Sequence, residues 1–199
     1  FGVSGAVNSI SLTHVVVMII SIFSLTFLFK YRKESLNHLE LFKYGIPILI
    51  SSILLILIVN FDIILVKHYF SELEAGFYTA ASMLSKIVWF AAGPLAMVMF
   101  PKISERYERK ENTSSLLKNS LFYTFLISSS VVLIYYIAPT FISRSLYGAE
   151  YDIGNLIGLF GLALGFFSLN NVLVYYNLAV KKYYFVLFLF FIFLIEIIS

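Results

Sequence analysis

The chain has 199 residues, of which 60% are hydrophobic, 18% aromatic and only 13% charged. Soluble domains carry about 25% charged residues, so this composition excludes a soluble globular domain and favours a membrane protein. The sequence contains no cysteine, which excludes disulfides and thiolate metal sites. Its three histidines, His14, His38 and His68, have no metal-binding spacing, and the net charge is a modest +3.

Unbroken apolar runs predict six membrane-spanning helices. A helix needs about 20 apolar residues to cross a bilayer, whereas a transmembrane strand would alternate in polarity over about 10 residues. We therefore predict an all-α membrane protein, a polytopic helical bundle. Because the chain begins and ends inside apolar runs, we expect it to be a piece of a longer protein with its last span cut short. The predicted spans cover residues 7–29, 44–66, 77–100, 120–142, 153–180 and 183–199.

Basic residues gather in alternate loops. Eleven Lys and Arg residues follow the first, third and fifth spans, whereas the other loops hold only Lys67 and Arg144. Loops rich in Lys and Arg stay in the cytoplasm. The pattern predicts a multi-pass protein of the cytoplasmic membrane, with the loops at residues 30–43, 101–118 and 181–182 on the cytoplasmic side.

Short polar segments separate the spans. Ser71 and Glu74 have the spacing of a capping box, which predicts a helix start just after a tight outer hairpin. Pro101 is predicted to end the third span, and the segment after it is predicted to be a solvated connector, with an interfacial helix as the alternative. Residues 143–154 have glycines suited to turns and are predicted to form an outer loop.

Two opposite charges lie inside neighbouring spans. At 1.5 Å per residue, Asp62 lies about 6 Å and Lys86 about 14 Å below the outer membrane boundary. Charges in hydrocarbon are costly and usually face a bundle interior or a watery cavity. In one interpretation the two residues form a structural ion pair, or Asp62 merely faces the outer interface. In the other, Lys86 presents its charge to an anionic ligand, while Asp62 neutralises it or binds a coupling proton or cation.

The third span contains Gly93-Pro94 near its middle. Proline removes a backbone donor and clashes with the preceding helical turn, so the freed carbonyl must find another partner. This point is predicted either to act as a hinge or only to shape the packing of the helix.

The fifth span combines small residues with amides. Gly161 and Gly165 have a spacing that allows neighbouring helices to approach closely. Asn170 and Asn177 lie two turns apart on one face, and Asn171 lies about 100° round from Asn170. We expect the amides of Asn170 and Asn177 either to hydrogen-bond a neighbouring helix or to contact a polar substrate.

Several motifs appear in a fixed order. Asp62 comes late in its span, the pattern S-x-x-E-A-G-x-Y-x-A-A begins at Ser71, and F-P-K-I-S begins at Phe100. A Tyr-Gly pair at 147–148 precedes a glycine-rich span. With these features, residues 42–180 resemble the polysaccharide and O-antigen flippases of the multidrug/oligosaccharidyl-lipid/polysaccharide exporter superfamily.

The resemblance implies a transporter of about 12 to 14 helices in two lobes, an internal symmetry that is usual in transporters. Residues 1–30 would end the first lobe, 31–43 would form a basic cytoplasmic linker, and 44–199 would supply five helices of the second lobe. Such proteins move lipid-linked oligosaccharides to the outer leaflet by alternating access. Lys86 would then attract a pyrophosphate or an acidic sugar, and Asp62 would balance Lys86 or bind a coupling proton or sodium ion.

Other functions stay open. A multidrug exporter of the same superfamily would depend on Asp62, because its pocket would favour cations. A membrane enzyme of glycan assembly, such as a polymerase, would need large outer loops, and those predicted here are short. We find no paired carboxylates, HExxH motif or phosphate loop, so neither catalysis nor a cofactor is predicted, and no nucleic-acid partner is expected. In a membrane scaffold, neutralising Asp62 and Lys86 would change folding only.

Overall fold

The computed structural model describes residues 2–25, 38–148 and 153–198. These residues form seven helices and no strand, which confirms the all-α class. Five of the helices are long and apolar enough to cross a membrane. The last helix has 14 residues, a length of about 21 Å against a hydrocarbon core of about 30 Å. The helices are α1 (Gly2–Ser24), α2 (His38–Tyr69), α3 (Glu72–Glu108), α4 (Ser114–Ile137), α5 (Pro139–Tyr147), α6 (Gly154–Ala179) and α7 (Phe185–Ile198).

The chain divides into two compact units between Leu41 and Phe42. The first unit contains α1, whose polar side chains bond within their own helix. Ser11 donates to a carbonyl one turn earlier at 3.0 Å, and the ring of His14 lies 2.8 Å from another. Such bonds satisfy polar groups inside an apolar helix. Three basic residues of the predicted linker lie outside the described residues: Lys30, Arg32 and Lys33.

In the second unit, α3, α4 and α6 pack closely against one another. Glycines of α6 make this approach possible, because a Cβ atom on Gly161 would lie only 2.9 Å from the ring of Tyr135. The hydroxyl of Tyr135 crosses the core and donates to the carbonyl of Leu84 at 2.7 Å. The prediction that small residues bring these helices together is confirmed.

Apolar side chains fill the unit from end to end. Small residues of α3 let its neighbours approach, as is usual for helices packed in membranes. One cluster joins α3, α4 and α6 at the end where α3 begins, a second joins the same helices at the end where α3 stops, and a third joins α2, α6 and α7. The buried members are Ala80, Ala81, Leu84, Val88, Val132, Tyr135, Ile153 and Ile157; Ala96, Met99, Ile103, Val172, Ala179 and Val180; and Leu54, Leu55, Val174, Leu178 and Leu189.

The hairpin between α2 and α3 is as tight as predicted. The hydroxyl of Ser71 accepts a hydrogen bond from the backbone of Glu74, whose carboxylate accepts one from the backbone of Ser71 at 3.2 Å. Together these two bonds confirm the capping box. They satisfy donors that the first turn of a helix leaves without partners.

The end of α3 corrects the prediction made from Pro101. The helix runs through Pro94 and Pro101 and ends at Glu108, so residues 101–118 are not a loop. Both prolines lie on the exposed side of α3. A helix tolerates the missing donor there, and the polar residues that follow Pro101 are mostly good helix formers. Only a short turn, at residues 109–113, separates α3 from α4.

The fourth span begins and ends earlier than predicted, because α4 starts at Ser114. It ends at Ile137 instead of residue 142, because Ala138 adopts φ −133° and ψ 51° outside the helical region. Proline disfavours a helical residue immediately before it and suits the first position of a new helix. Pro139 accordingly begins α5, so a helix occupies the first part of the predicted outer loop. Residues 149–152 of that loop lie outside the described part of the chain.

Candidate functional site

Polar side chains join α2 to α3 along the length of both helices. The backbones of these two helices lie farther apart than those of α3 and α6, so the long side chains bridge the gap between them. Polar bonds between helices hold membrane bundles together where apolar packing is loose. The contacts are Tyr44 to Ser104 at 3.3 Å, Lys86 to Asn60 at 2.7 Å and Tyr78 to Asp62 at 2.9 Å.

Lys86 is buried in the middle of this gap, with 8% of its surface exposed. Its ammonium group donates a hydrogen bond to the side-chain oxygen of Asn60, a neutral amide. An ammonium group has three donors, and an amide oxygen carries no net charge. Within the described residues, Lys86 and Asp62 do not form an ion pair within 4 Å. The positive charge of Lys86 therefore has no carboxylate in contact with it.

Asp62 has partners of its own. One carboxylate oxygen accepts a hydrogen bond from the hydroxyl of Tyr78, and the other accepts one from the backbone N–H of Ile63 at 2.8 Å. A ring contact between Phe61 and Phe193, with centroids 5.3 Å apart, brings α7 against this part of α2. The acid predicted from the sequence is thus fixed in position by α3 and by its own helix.

A cavity of about 580 Å³ opens beside Asp62. The side chains of Tyr78 and Glu196 also line it, so the carboxylates of Asp62 and Glu196 and the phenol of Tyr78 face one space near the α2–α3 hairpin. Oxygen groups of this kind can hold a proton or a small cation. In the sequence Glu196 is an acid inside an apolar run, and no local pattern connects α7 with α2. Five apolar residues and one further tyrosine complete the lining: Leu65, Val66, Phe70, Ile197, Ile198 and Tyr69.

The asparagines of α6 do not line this cavity. Asn170 is half-buried, and Asn177 donates to the carbonyl of Leu173 in its own helix at 2.8 Å. Among the described residues neither amide bonds to a neighbouring helix, and the substrate contact stays a prediction. Among the described residues the most buried amide is Asn171, which is 6% exposed and whose side-chain oxygen has no hydrogen-bond partner there. Thr124 of α4 is likewise buried, and its hydroxyl has no partner in the same part of the chain.

Gly93 and Pro94 lie within an uninterrupted α3. Gly93 is half-buried, and a Cβ atom built on it would meet nothing within 4 Å. Pro94 is exposed. The hinge stays a prediction.

Charged residues meet at the other end of the unit. Glu108, at the end of α3, accepts a hydrogen bond from the ammonium group of Lys181 at 3.2 Å. The same ammonium group lies 5.5 Å from the ring centre of Tyr44 on α2. The bond to Glu108 raises the pKa of Lys181 above its ordinary value. Lys181 thus connects the α6–α7 turn with the ends of α2 and α3.

Long apolar helices joined by buried polar contacts define a polytopic helical membrane protein. The chain belongs to the polysaccharide biosynthesis protein family, whose sequence model matches residues 1–153. This match confirms, at the level of the family, the resemblance noted from the motifs between Asp62 and Ser104, and it gives the chain a role in polysaccharide synthesis or export. No curated protein and no solved structure matches the chain.

The family match covers α1 to α5. Asp62 and Lys86, with their partners Tyr78 and Asn60, therefore lie inside the matched region. The asparagines of α6 and the acid Glu196 of α7 lie beyond it. The contacts between α2 and α3 are consequently the part of the site to which the family assignment applies.

Proposed function

We propose that this chain is part of a carrier that moves lipid-linked oligosaccharide or polysaccharide precursors across the cytoplasmic membrane by alternating access. The observation that carries the proposal is the buried ammonium group of Lys86, whose contact is a neutral amide. Burying a charge without a carboxylate in direct contact is costly, and charged groups in membrane helices often mark the path of a ligand or an ion. Membership of a polysaccharide biosynthesis family supports a glycan as the cargo.

The chemistry of the cargo fits this charge. Lipid-linked glycans are joined to their lipid through phosphate groups, which are anionic and accept strong hydrogen bonds from ammonium groups. Lys86 has donors beyond the one given to Asn60, because an ammonium group has three. In the proposed mechanism Lys86 holds the phosphate while the two sides of the carrier open in turn.

Asp62 has a different role in this proposal. It accepts hydrogen bonds from Tyr78 and Ile63, and with Glu196 it faces a cavity near the outer end of the bundle. We assign it to a coupling proton or sodium ion, which would neutralise the two acids during the cycle. Gly93-Pro94 supplies the flexible point of α3. The proposal makes the chain a carrier and not an enzyme.

The test is complementation with the full-length gene in cells that lack the native protein. Lys86→Ala should abolish surface glycan while the protein remains abundant in the membrane. Asn60→Asp should do the same, because it places a carboxylate on the amide position that Lys86 contacts at 2.7 Å and so neutralises the ammonium group. Lys86→Arg keeps the charge and should retain part of the export. Lys118→Ala removes an exposed lysine of α4 and is the matched control.

The outcomes separate the alternatives. Normal export by Lys86→Ala and Asn60→Asp would overturn the site assignment. If surface glycan is lost in Lys86→Ala and in Asp62→Asn but returns in the double variant, the two residues form a structural pair. A glycan polymerase predicts shortened surface chains instead of missing ones. A multidrug exporter predicts normal glycan, with drug resistance lost in Asp62→Asn alone.

A further inference from the structure

A polar cleft lies where α3 ends and α4 begins. It has a volume of about 390 Å³ and lies about 50 Å along α3 from the capping box. The side chains around it come from the part of α3 beyond Pro101, from the turn and from the first turn of α4. They are Lys102, Glu105, Arg106, Arg109, Glu111 and Leu116.

The cations of the cleft lie on one side of α3. Lys102, Arg106 and Arg109 are spaced four and three residues apart, which places them on the same helical face. Arg109 is held by Glu105 at 2.8 Å, so its charge is balanced. In the described part of the chain, neither Lys102 nor Arg106 has an acidic partner within 4 Å. The carboxylate of Glu111 also faces the cleft, which leaves the lining with one net positive charge.

The cleft is at the membrane boundary. The apolar part of α3 ends at Phe100, and the side chains of Met97 and Val98 one turn earlier are exposed, as expected for a surface that faces lipid. Lys102 and Arg106 follow within the next two turns and are exposed as well. Their charges therefore lie at the level of the lipid headgroups, and the positive-inside pattern predicts that this is the cytoplasmic leaflet.

We propose that this cleft binds the phosphate of an anionic phospholipid of the cytoplasmic leaflet. Lys102 and Arg106 donate hydrogen bonds to the phosphate oxygens, and the acyl chains lie along the exposed apolar surface at Met97 and Val98. Basic clusters just cytoplasmic of a membrane helix attract anionic lipids, and each Lys or Arg strengthens binding appreciably. The apolar surface next to the cleft favours a phospholipid over free phosphate, which has no chain to place there. The inference is independent of the cargo.

The test measures phosphatidylglycerol binding to the purified full-length protein by native mass spectrometry, with phosphatidylcholine as the reference lipid. Lys102→Gln and Arg106→Gln should each weaken phosphatidylglycerol binding about fivefold, and the pair together about 30-fold. Lys118→Gln with Lys182→Gln removes the same charge from exposed positions outside the cleft and should leave binding unchanged.

Glu111→Gln provides a second measurement that does not depend on losing a cation. It removes an acid from the lining and should tighten phosphatidylglycerol binding. Equal weakening by the cleft pair and the control pair would overturn the proposal, because it would show a non-specific attraction. Full competition by inorganic phosphate at equal concentration would also overturn it, since the site would then be an anion site without a lipid. Preferential displacement by a lipid-linked pyrophosphate would assign the cleft to the cargo instead.

Discussion

Two glycines on membrane helices differ in what an added methyl group would meet, and this difference predicts opposite effects of the same substitution. At Gly161 a Cβ atom would lie 2.9 Å from a ring carbon of Tyr135. That ring cannot swing away freely, because its hydroxyl is hydrogen-bonded to the carbonyl of Leu84 at 2.7 Å inside the core. At Gly93 a Cβ atom would meet nothing within 4 Å.

The expected difference in the free energy of unfolding follows from a comparison of Gly161→Ala with Gly93→Ala. Both substitutions gain the higher helix propensity of alanine, about 1 kcal/mol, so this contribution cancels between them. Forcing an additional methyl group into a packed core costs about 1–3 kcal/mol. The variant Gly161→Ala should therefore have a free energy of unfolding about 1–3 kcal/mol below that of Gly93→Ala. In a chain of this size each kcal/mol corresponds to about 2–4 °C in Tm.

The assay is reversible unfolding of the full-length protein by sodium dodecyl sulfate in mixed micelles, followed by circular dichroism. Equal stability of the two variants would refute the close approach of α4 and α6 at Gly161. The pair also tests the hinge, because Gly93→Ala should fold normally while reducing glycan export if the helix must bend there. Normal export by that stable variant would remove Gly93 from the mechanism.

Three further variants test individual contacts. Tyr135→Phe should lower the free energy of unfolding by about 1 kcal/mol, because it removes a buried hydrogen bond; no loss would mean that the bond does not form. Asn171→Leu should raise that free energy by about 1–3 kcal/mol, since it removes a buried oxygen without a partner, whereas destabilisation would point to a bound group at this position. Lys181→Gln should leave stability unchanged at pH 6 to 9, because exposed ion pairs contribute little. Glu108 raises the pKa of Lys181 above its ordinary value of 10.5, so any stabilisation from this ion pair is fully present below pH 10.5 and is lost as the pH rises through the raised pKa. A loss of stability with pH near neutrality would contradict this assignment.

The parts of the fold that depend on local chemistry were predicted well. Apolar length identified the crossing helices, and the spacing of Ser71 and Glu74 identified the start of α3. The spacing of Gly161 and Gly165 identified the close contact with α4. Each of these follows from residues within a few turns of one another, so a sequence pattern can express it.

Two helix boundaries near prolines were predicted wrongly: one helix was expected to stop at a proline but continues, and another was expected to continue through a proline but stops before it. Pro101 does not end its helix, whereas Pro139 restarts one. The difference lies in the neighbours: Pro101 is exposed and is followed by helix-forming polar residues, while Ala138 is displaced from the helical region immediately before Pro139. A proline marks a place where a helix can stop, but the surrounding contacts decide whether it does.

The site was predicted only in part. Asp62 and Lys86 could be selected because charges in apolar runs are rare. Their partners Asn60 and Tyr78 could not be selected from the sequence, because nothing in the sequence marks these two residues as partners. Only the tertiary structure brings them into contact with Lys86 and Asp62. Glu196 and Asn171 depend in the same way on which helices become neighbours. Sequence patterns thus identified the costly groups, and three-dimensional packing determined what satisfies them.

Because α3 is long and unbroken, a small bend near its middle would move its end by several ångströms. Its 37 residues extend about 55 Å, well beyond the hydrocarbon core of about 30 Å, and Pro94 divides it into two arms. The arm from Pro94 to Glu108 is about 21 Å long, so a bend of about 10° at the proline would displace its end by nearly 4 Å. Such a displacement exceeds the length of a hydrogen bond and would separate Glu108 from Lys181. A small rotation in the middle of α3 would thereby become a change of hydrogen-bond partners at the end of the helix.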